Sequence, residues 1–367
     1  MKSRSRVIFL AGLWSVALVA GCNYGGEEPV KEKGFAVNAE VKTAIGAAGS
    51  TFVNPIMAEW ISSYRQAHPT TVVNYRAIGS AAGINELKQG TLEIAATDAP
   101  LSDEQLQEMP PLIQVPVAAG PVCAVYNLPG LKAPLRLSSS TLAGIFSGTI
   151  ISWQDPAIAR ENPGAALPHA AIIVVHRTDG SGTTNIFTSY LAKVSAAWSH
   201  DLGQGLTVKW PVGIGAQGSA GMLDFVSANA GTIGYAELNY AKAKKVPVVS
   251  IQNRAGNFVA PSPESATAAI EAFSEALAKD VRTPVVDPPA PAKEAYPITG
   301  LTFLLFAKDG SDAAEQQAIR DFVQYAVNNG QDLAERLDYA KLPRSIQERA
   351  LNLLGEMRAQ GQPVKAT

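Results

Sequence analysis

Residues 176–187 read HRTDGSGTTNIF, which places Arg177, Asp179, Ser181 and Thr183 among glycines immediately before an apolar run with helical spacing. Glycine lets backbone N–H groups close on a ligand, and a helix N-terminus offers unpaired donors at the positive end of its dipole. Such a cluster suits an anion. The same residues also make an ordinary helix cap, so taken alone the stretch leaves both readings open.

Two more stretches have the same layout, and the elements around them explain how they could meet. VKTAIGAAGSTFVNPIMAEWISSY predicts a short strand from Val41, a loop with Gly49, Ser50 and Thr51, and a helix capped by Asn54 with Pro55 in its first turn. TVVNYRAIGSAAGINELKQGT predicts a strand ending at Ile78, then Gly79 and Ser80, then a short helix stopped by Gly90. In the third, AIIVV is an apolar strand of the buried parallel kind, and Phe187, Tyr190, Leu191 and Val194 mark the helix beyond the loop. Ligands of open α/β sheets lie beyond the carboxyl ends of the strands, where all three loops fall. Only Arg177 brings a full positive charge.

A fourth stretch, GTLEIAATDAPLSDEQL, ends a strand at Asp98, ahead of a capping box from Ser102 and Gln105. Asp98 is a common turn residue by type. Beside an anion, its carboxylate is favourable only if the anion carries a proton to donate.

The whole chain bounds these readings. It has 367 residues, 47% hydrophobic and 17% charged, enough for two cores. Three basic residues and the apolar run Val7 to Ala20 predict a signal peptide over 1–21, and LVAGC ending at Cys22 resembles a bacterial lipobox, which implies that Cys22 is acylated. A polar, Gly-rich tether follows over 22–40. Removing Lys2, Arg4 and Arg6 from 30 basic residues leaves 27 against 32 acidic ones, which argues against a nucleic-acid partner. Cys123 lies in an apolar run and reads as a buried thiol, and four histidines without metal-ligand spacing predict no metal and no cofactor. GIGAQG at 213–218 matches a dinucleotide-binding pattern, but Pro211 in VKWPV makes a poor central strand before it. The nucleophile-elbow pattern fails at Ser181, where Asp179 and Thr183 stand in its glycine positions. The tail predicts a helix begun by Asp312 and Glu315 and stopped by Gly330, then a last helix over Ile346 to Met357.

From about Ile45 to the C-terminus the chain resembles the phosphate-binding proteins of Pst-type ABC importers, through GSTF, GSAAG, TDAPLS, RTDGSGT, FTSYLAKV, KWPVGIGAQG, GTIGYAE, YPIT and LDYAKLP. The resemblance implies a two-lobed α/β periplasmic-binding-protein fold of type II, each lobe a mixed sheet flanked by helices, with the ligand in the cleft at the hinge. It implies lobe I from 41–117 plus 298–367 and lobe II from 118–297, with crossings near Val115 to Gly120 and Tyr296 to Leu301. Carried over residue by residue, the phosphate ligands fall on Thr51, Phe52, Ser80, Asp98, Arg177, Ser181, Gly182 and Thr183. Asp179 orients the arginine, and the GIGAQG loop has no nucleotide role. The family implies a monomeric, extracytoplasmic, membrane-anchored receptor that binds inorganic phosphate and delivers it to ABC permease subunits, with no catalytic residue. AAGSTF and GSAAG depart from the family's usual G-A-G-[SA]-T-F and G-S-[SG]-G-G without removing a ligand side chain. Two other functions remain on the residues alone: a secreted phosphatase of related fold, and a receptor for another tetrahedral oxyanion.

Overall fold

The computed structural model describes residues 40–365; the signal-peptide, tether and Cys22 expectations lie outside the described residues, apart from Glu40. One eight-stranded sheet organises the chain. Its strands in chain order are β1 (Thr43–Gly49), β2 (Thr71–Arg76), β3 (Ile94–Thr97), β4 (Leu112–Asn127), β5 (Ile173–Arg177), β6 (Ile214–Ala216), β7 (Thr232–Glu237) and β8 (Thr299–Ala307). Across the sheet they run β2-β1-β3-β8-β4-β7-β5-β6. β1 pairs in parallel with β2 and β3, and β5 in parallel with β6 and β7. The long β4 is antiparallel to both β8 and β7, and so joins the two parallel sets.

β4 is buried from Ile113 to Tyr126, which is why its sequence runs apolar without alternation. Two prolines inside it need a reason, since proline cannot donate to a ladder. Pro116 borders an irregularity: the register with β8 shifts between Thr302 and Phe303, which leaves Val117 out of the pairing. The amide nitrogen of Gln331 donates to the Val117 carbonyl at 2.8 Å. Pro121 stands where β4 leaves β8, and Val122 is the first residue paired to β7.

The helices follow the sequence pattern with shifted ends. α1 (Asn54–Ala67) buries Ile56, Met57, Trp60 and Tyr64, but Val53 rather than Asn54 occupies the cap, so the helix starts one residue earlier than expected. β2 stops at Arg76, two residues before the expected Ile78, and Gly79 with φ 95° caps α2 (Ser80–Lys88). Gly90 follows that helix with φ 67°. The Ser102–Gln105 capping box and the buried Cys123 are present as expected. In the tail, Asp312 caps α5 (Ala313–Val327), counting α3 (Gly182–Val194) and α4 (Gly218–Ala228) before it. Gly330 does not stop α5, which ends three residues earlier; it packs against Trp60, whose indole donates to the Gly330 carbonyl at 2.9 Å. A Cβ there would lie 2.5 Å from the Trp60 indole nitrogen. The last helix, α6, is Arg344–Leu354, one turn short of Met357 at its end.

Candidate functional site

The carboxyl ends of β1, β2, β3, β5, β6 and β7 converge, and each expected site residue ends or follows one of them. After β1, three tyrosines fix the backbone. The hydroxyl of Tyr75 donates to the Ser50 carbonyl at 2.6 Å, that of Tyr240 to the Thr51 carbonyl at 2.9 Å, and that of Tyr339 to the Phe52 carbonyl at 2.5 Å. The carbonyls of three successive residues are thus tied back, and Ser50 N–H donates to the Ala96 carbonyl at 2.8 Å. Phe52 N–H donates to Ser50 Oγ at 3.0 Å, and the Phe52 ring stacks on Tyr339.

Arg177 ends β5 and is buried with its charge satisfied. Nε and Nη2 donate to Asp179 at 2.8 and 2.5 Å in a two-pronged pair, and Nη1 donates to Ser219 Oγ at 3.1 Å. Burial works against the charge on both partners, but their mutual attraction outweighs it. The guanidinium is held above its ordinary range and the Asp179 carboxyl below its own. Gly218 N–H adds a bond to Asp179 at 3.0 Å. Asp179 is thus held by Arg177 and by the Gly218 N–H at once.

Ser181 caps α3 by accepting from Thr184 N–H at 3.2 Å, so the stretch that opened the sequence argument is a helix cap as well as part of a cluster. Thr183 Oγ1 donates to Glu237 at 2.5 Å. The loops after β2 and β5 touch: Ala81 N–H donates to the Gly180 carbonyl at 3.0 Å, and Gly182 N–H to Ser80 Oγ at 3.2 Å. Thr51 Oγ1 lies 2.8 Å from Ser219 Oγ.

Asp98 sits where these loops meet, almost wholly buried. Ser50 Oγ lies 2.8 and 2.7 Å from its two oxygens, and Thr302 Oγ1 on β8 donates to Oδ1 at 2.6 Å. Burial pushes the Asp98 carboxyl up to about 7, against the pull of the Ser50 and Thr302 hydroxyls; Glu237 adds to the rise and Arg177 opposes it. The group is thus close to shared occupancy by a proton at neutral pH.

Comparison with known proteins places this arrangement. The family model described as "PBP superfamily domain" matches residues 36–329. The chain is 40% identical over 303 residues to the phosphate-binding protein PstS of Xylella fastidiosa (strain 9a5c), covering 82% of each chain. It is 41% identical over 313 residues to PstS of Pasteurella multocida (strain Pm70), covering 85% of this chain and 90% of that one. The chain belongs to the PstS family of phosphate-binding proteins. The solved phosphate-binding protein from Stenotrophomonas maltophilia shares the fold, with a TM-score of 0.63 at 18% identity over 85% of this chain and 94% of that one.

Beside the expected family residues, the structure brings in Ser50, Ser219, Glu237 and Thr302. Ser50 was visible in the first loop, but its bond to Asp98 was not. Ser219 follows GIGAQG, a stretch that carries part of the family resemblance but was given no ligand; Gly218 and Ser219 hold Asp179 and Arg177. Glu237 is the last residue of an apolar strand and Asp98 the first after one, and that similar position was the signal that could have singled it out.

Proposed function

We propose that this protein is an extracytoplasmic receptor that binds inorganic phosphate and delivers it to an ABC-type phosphate permease. It acts as a binding protein and not as an enzyme. The observation that carries the reading is the meeting of Ser80, Gly182 and Asp98: Gly182 donates to Ser80, and a Cβ on Gly182 would lie 2.5 Å from Asp98 Oδ2. Donor groups from two sets of loops thereby surround one buried proton acceptor.

In this reading Thr51, Ser80, Ser181 and Thr183 turn their hydroxyls to the anion, Phe52 and Gly182 supply N–H groups, and Arg177 supplies charge. Asp98 accepts the proton that phosphate carries. The segments 41–117 plus 298–367 and 118–297 form two lobes that open and close about β4 and β8, since these strands link the parallel sets. The protein works as a monomer held to the membrane through acylated Cys22. No helix among the described residues is long and apolar enough to cross a membrane. Calorimetric titration of the purified protein, lacking residues 1–22, with phosphate, arsenate and sulfate tests the reading. Heat on adding phosphate and arsenate but not sulfate supports it, and no heat with phosphate defeats it.

A further inference from the structure

Glu237 closes β7 and is completely buried. Its Oε1 accepts from Thr183 Oγ1 at 2.5 Å and from Ser219 Oγ at 3.1 Å, while Oε2 has no hydrogen-bond partner. Ser219 Oγ in turn accepts from Arg177 Nη1 and neighbours Thr51 Oγ1. Three groups read above as phosphate donors, Thr51, Arg177 and Thr183, therefore end on this carboxylate directly or through one serine. Its charge is also felt at Asp98 and at Arg177.

A hydroxyl has one proton to give. While Thr183 donates to Glu237, it offers an arriving anion only its lone pairs. To donate to the anion it must abandon Glu237, and a buried carboxylate that loses one of two donors is costly. Dihydrogen phosphate escapes this conflict, because with one proton given to Asp98 it can donate the other to Thr183 Oγ1 and leave the Thr183–Glu237 bond intact. A proton-free anion cannot.

We infer that Glu237 is a second specificity-determining carboxylate, acting through Thr183 and Ser219, that disfavours proton-free oxyanions independently of Asp98. The inference rests on the phosphate-receptor reading. In Glu237→Gln the amide nitrogen can donate to Thr183 Oγ1, which frees the threonine proton for the anion, and the negative charge is gone. Glu237→Asp keeps the charge.

The experiment is titration of wild type, Glu237→Gln and Glu237→Asp with phosphate, and with sulfate by competition. Sulfate is expected to bind Glu237→Gln about tenfold or more tighter than wild type, and the phosphate-to-sulfate ratio to fall by about tenfold or more. Glu237→Asp is expected to keep the wild-type preference. An unchanged phosphate-to-sulfate ratio in Glu237→Gln overturns the inference, and so does loss of phosphate binding in both variants, which would make Glu237 a support of the fold only. Failure of wild type to bind phosphate would instead defeat the receptor reading.

Discussion

Gly182 and Asp98 are packed so closely that a Cβ on Gly182 would lie 2.5 Å from Asp98 Oδ2 and 2.6 Å from its backbone nitrogen. These residues belong to loops on opposite sides of β4, so the missing side chain is what allows the loops to meet. Gly182→Ala should lower phosphate affinity by about a hundredfold while leaving the melting temperature within a few degrees, because the added methyl is relieved by moving the two loops apart and leaves the sheet in place. Titration and thermal unfolding check this; wild-type affinity in the variant contradicts it.

Arg177→Ala should weaken phosphate binding by about 3 kcal/mol, the scale of breaking a buried ion pair. The variant also leaves Asp179 without its partner, so part of the loss comes from a stranded carboxylate. Arg177→Lys should recover little, since an ammonium cannot reproduce the two-pronged contact to Asp179 together with the bond to Ser219. Calorimetry on both variants measures this, and a change under about 0.5 kcal/mol in Arg177→Ala would put the residue outside the site.

The raised pKa of Asp98 has two consequences with fixed signs. A carboxyl whose folded pKa lies above its unfolded value binds protons more tightly in the native state, so stability falls as pH rises between the two. Without ligand, the protein should lose stability as pH rises from about 4 to about 7, by a few kcal/mol at most, and Asp98→Asn should remove that slope. Denaturant unfolding at a series of pH values measures it. In binding, a protonated Asp98 becomes a donor, so discrimination against sulfate should narrow as pH falls below about 7. A selectivity that is flat from pH about 5 to about 8 contradicts this role for Asp98.

Cys22→Ser in the full chain should shift the protein from the membrane fraction to the soluble fraction, because a single acylated residue is the proposed anchor. Equal membrane retention of the variant would show that another segment holds the protein.

The first three anion loops could be read from the sequence because each is local: a strand, a few Gly and hydroxyl residues, and a helix with apolar spacing. Asp98 was legible by its place at a strand end. The residues that complete the cluster come from far along the chain. Ser219 reaches Thr51 across 168 positions, and Thr302 reaches Asp98 across 204. No periodicity encodes such distances, since they arise from the order in which strands assemble on either side of β4. Helix ends were the other weak point. Val53 caps α1 without a side-chain bond, and Gly330 serves to let Trp60 approach and not to end a helix. In both, tertiary packing overrides the local signal.

The central claim is that a buried proton acceptor at Asp98 selects phosphate, and the most direct test titrates wild type and Asp98→Asn with phosphate and sulfate at pH about 8, above the carboxyl's titration. A site built around one buried hydrogen bond rejects an analogue lacking it by roughly 10⁴ or more. Wild type should therefore bind sulfate roughly 10⁴-fold or more weaker than phosphate, and Asp98→Asn should narrow the gap because its amide can donate to a proton-free oxyanion. Comparable affinity of wild type for both anions, or an unchanged ratio in the variant, would contradict the account.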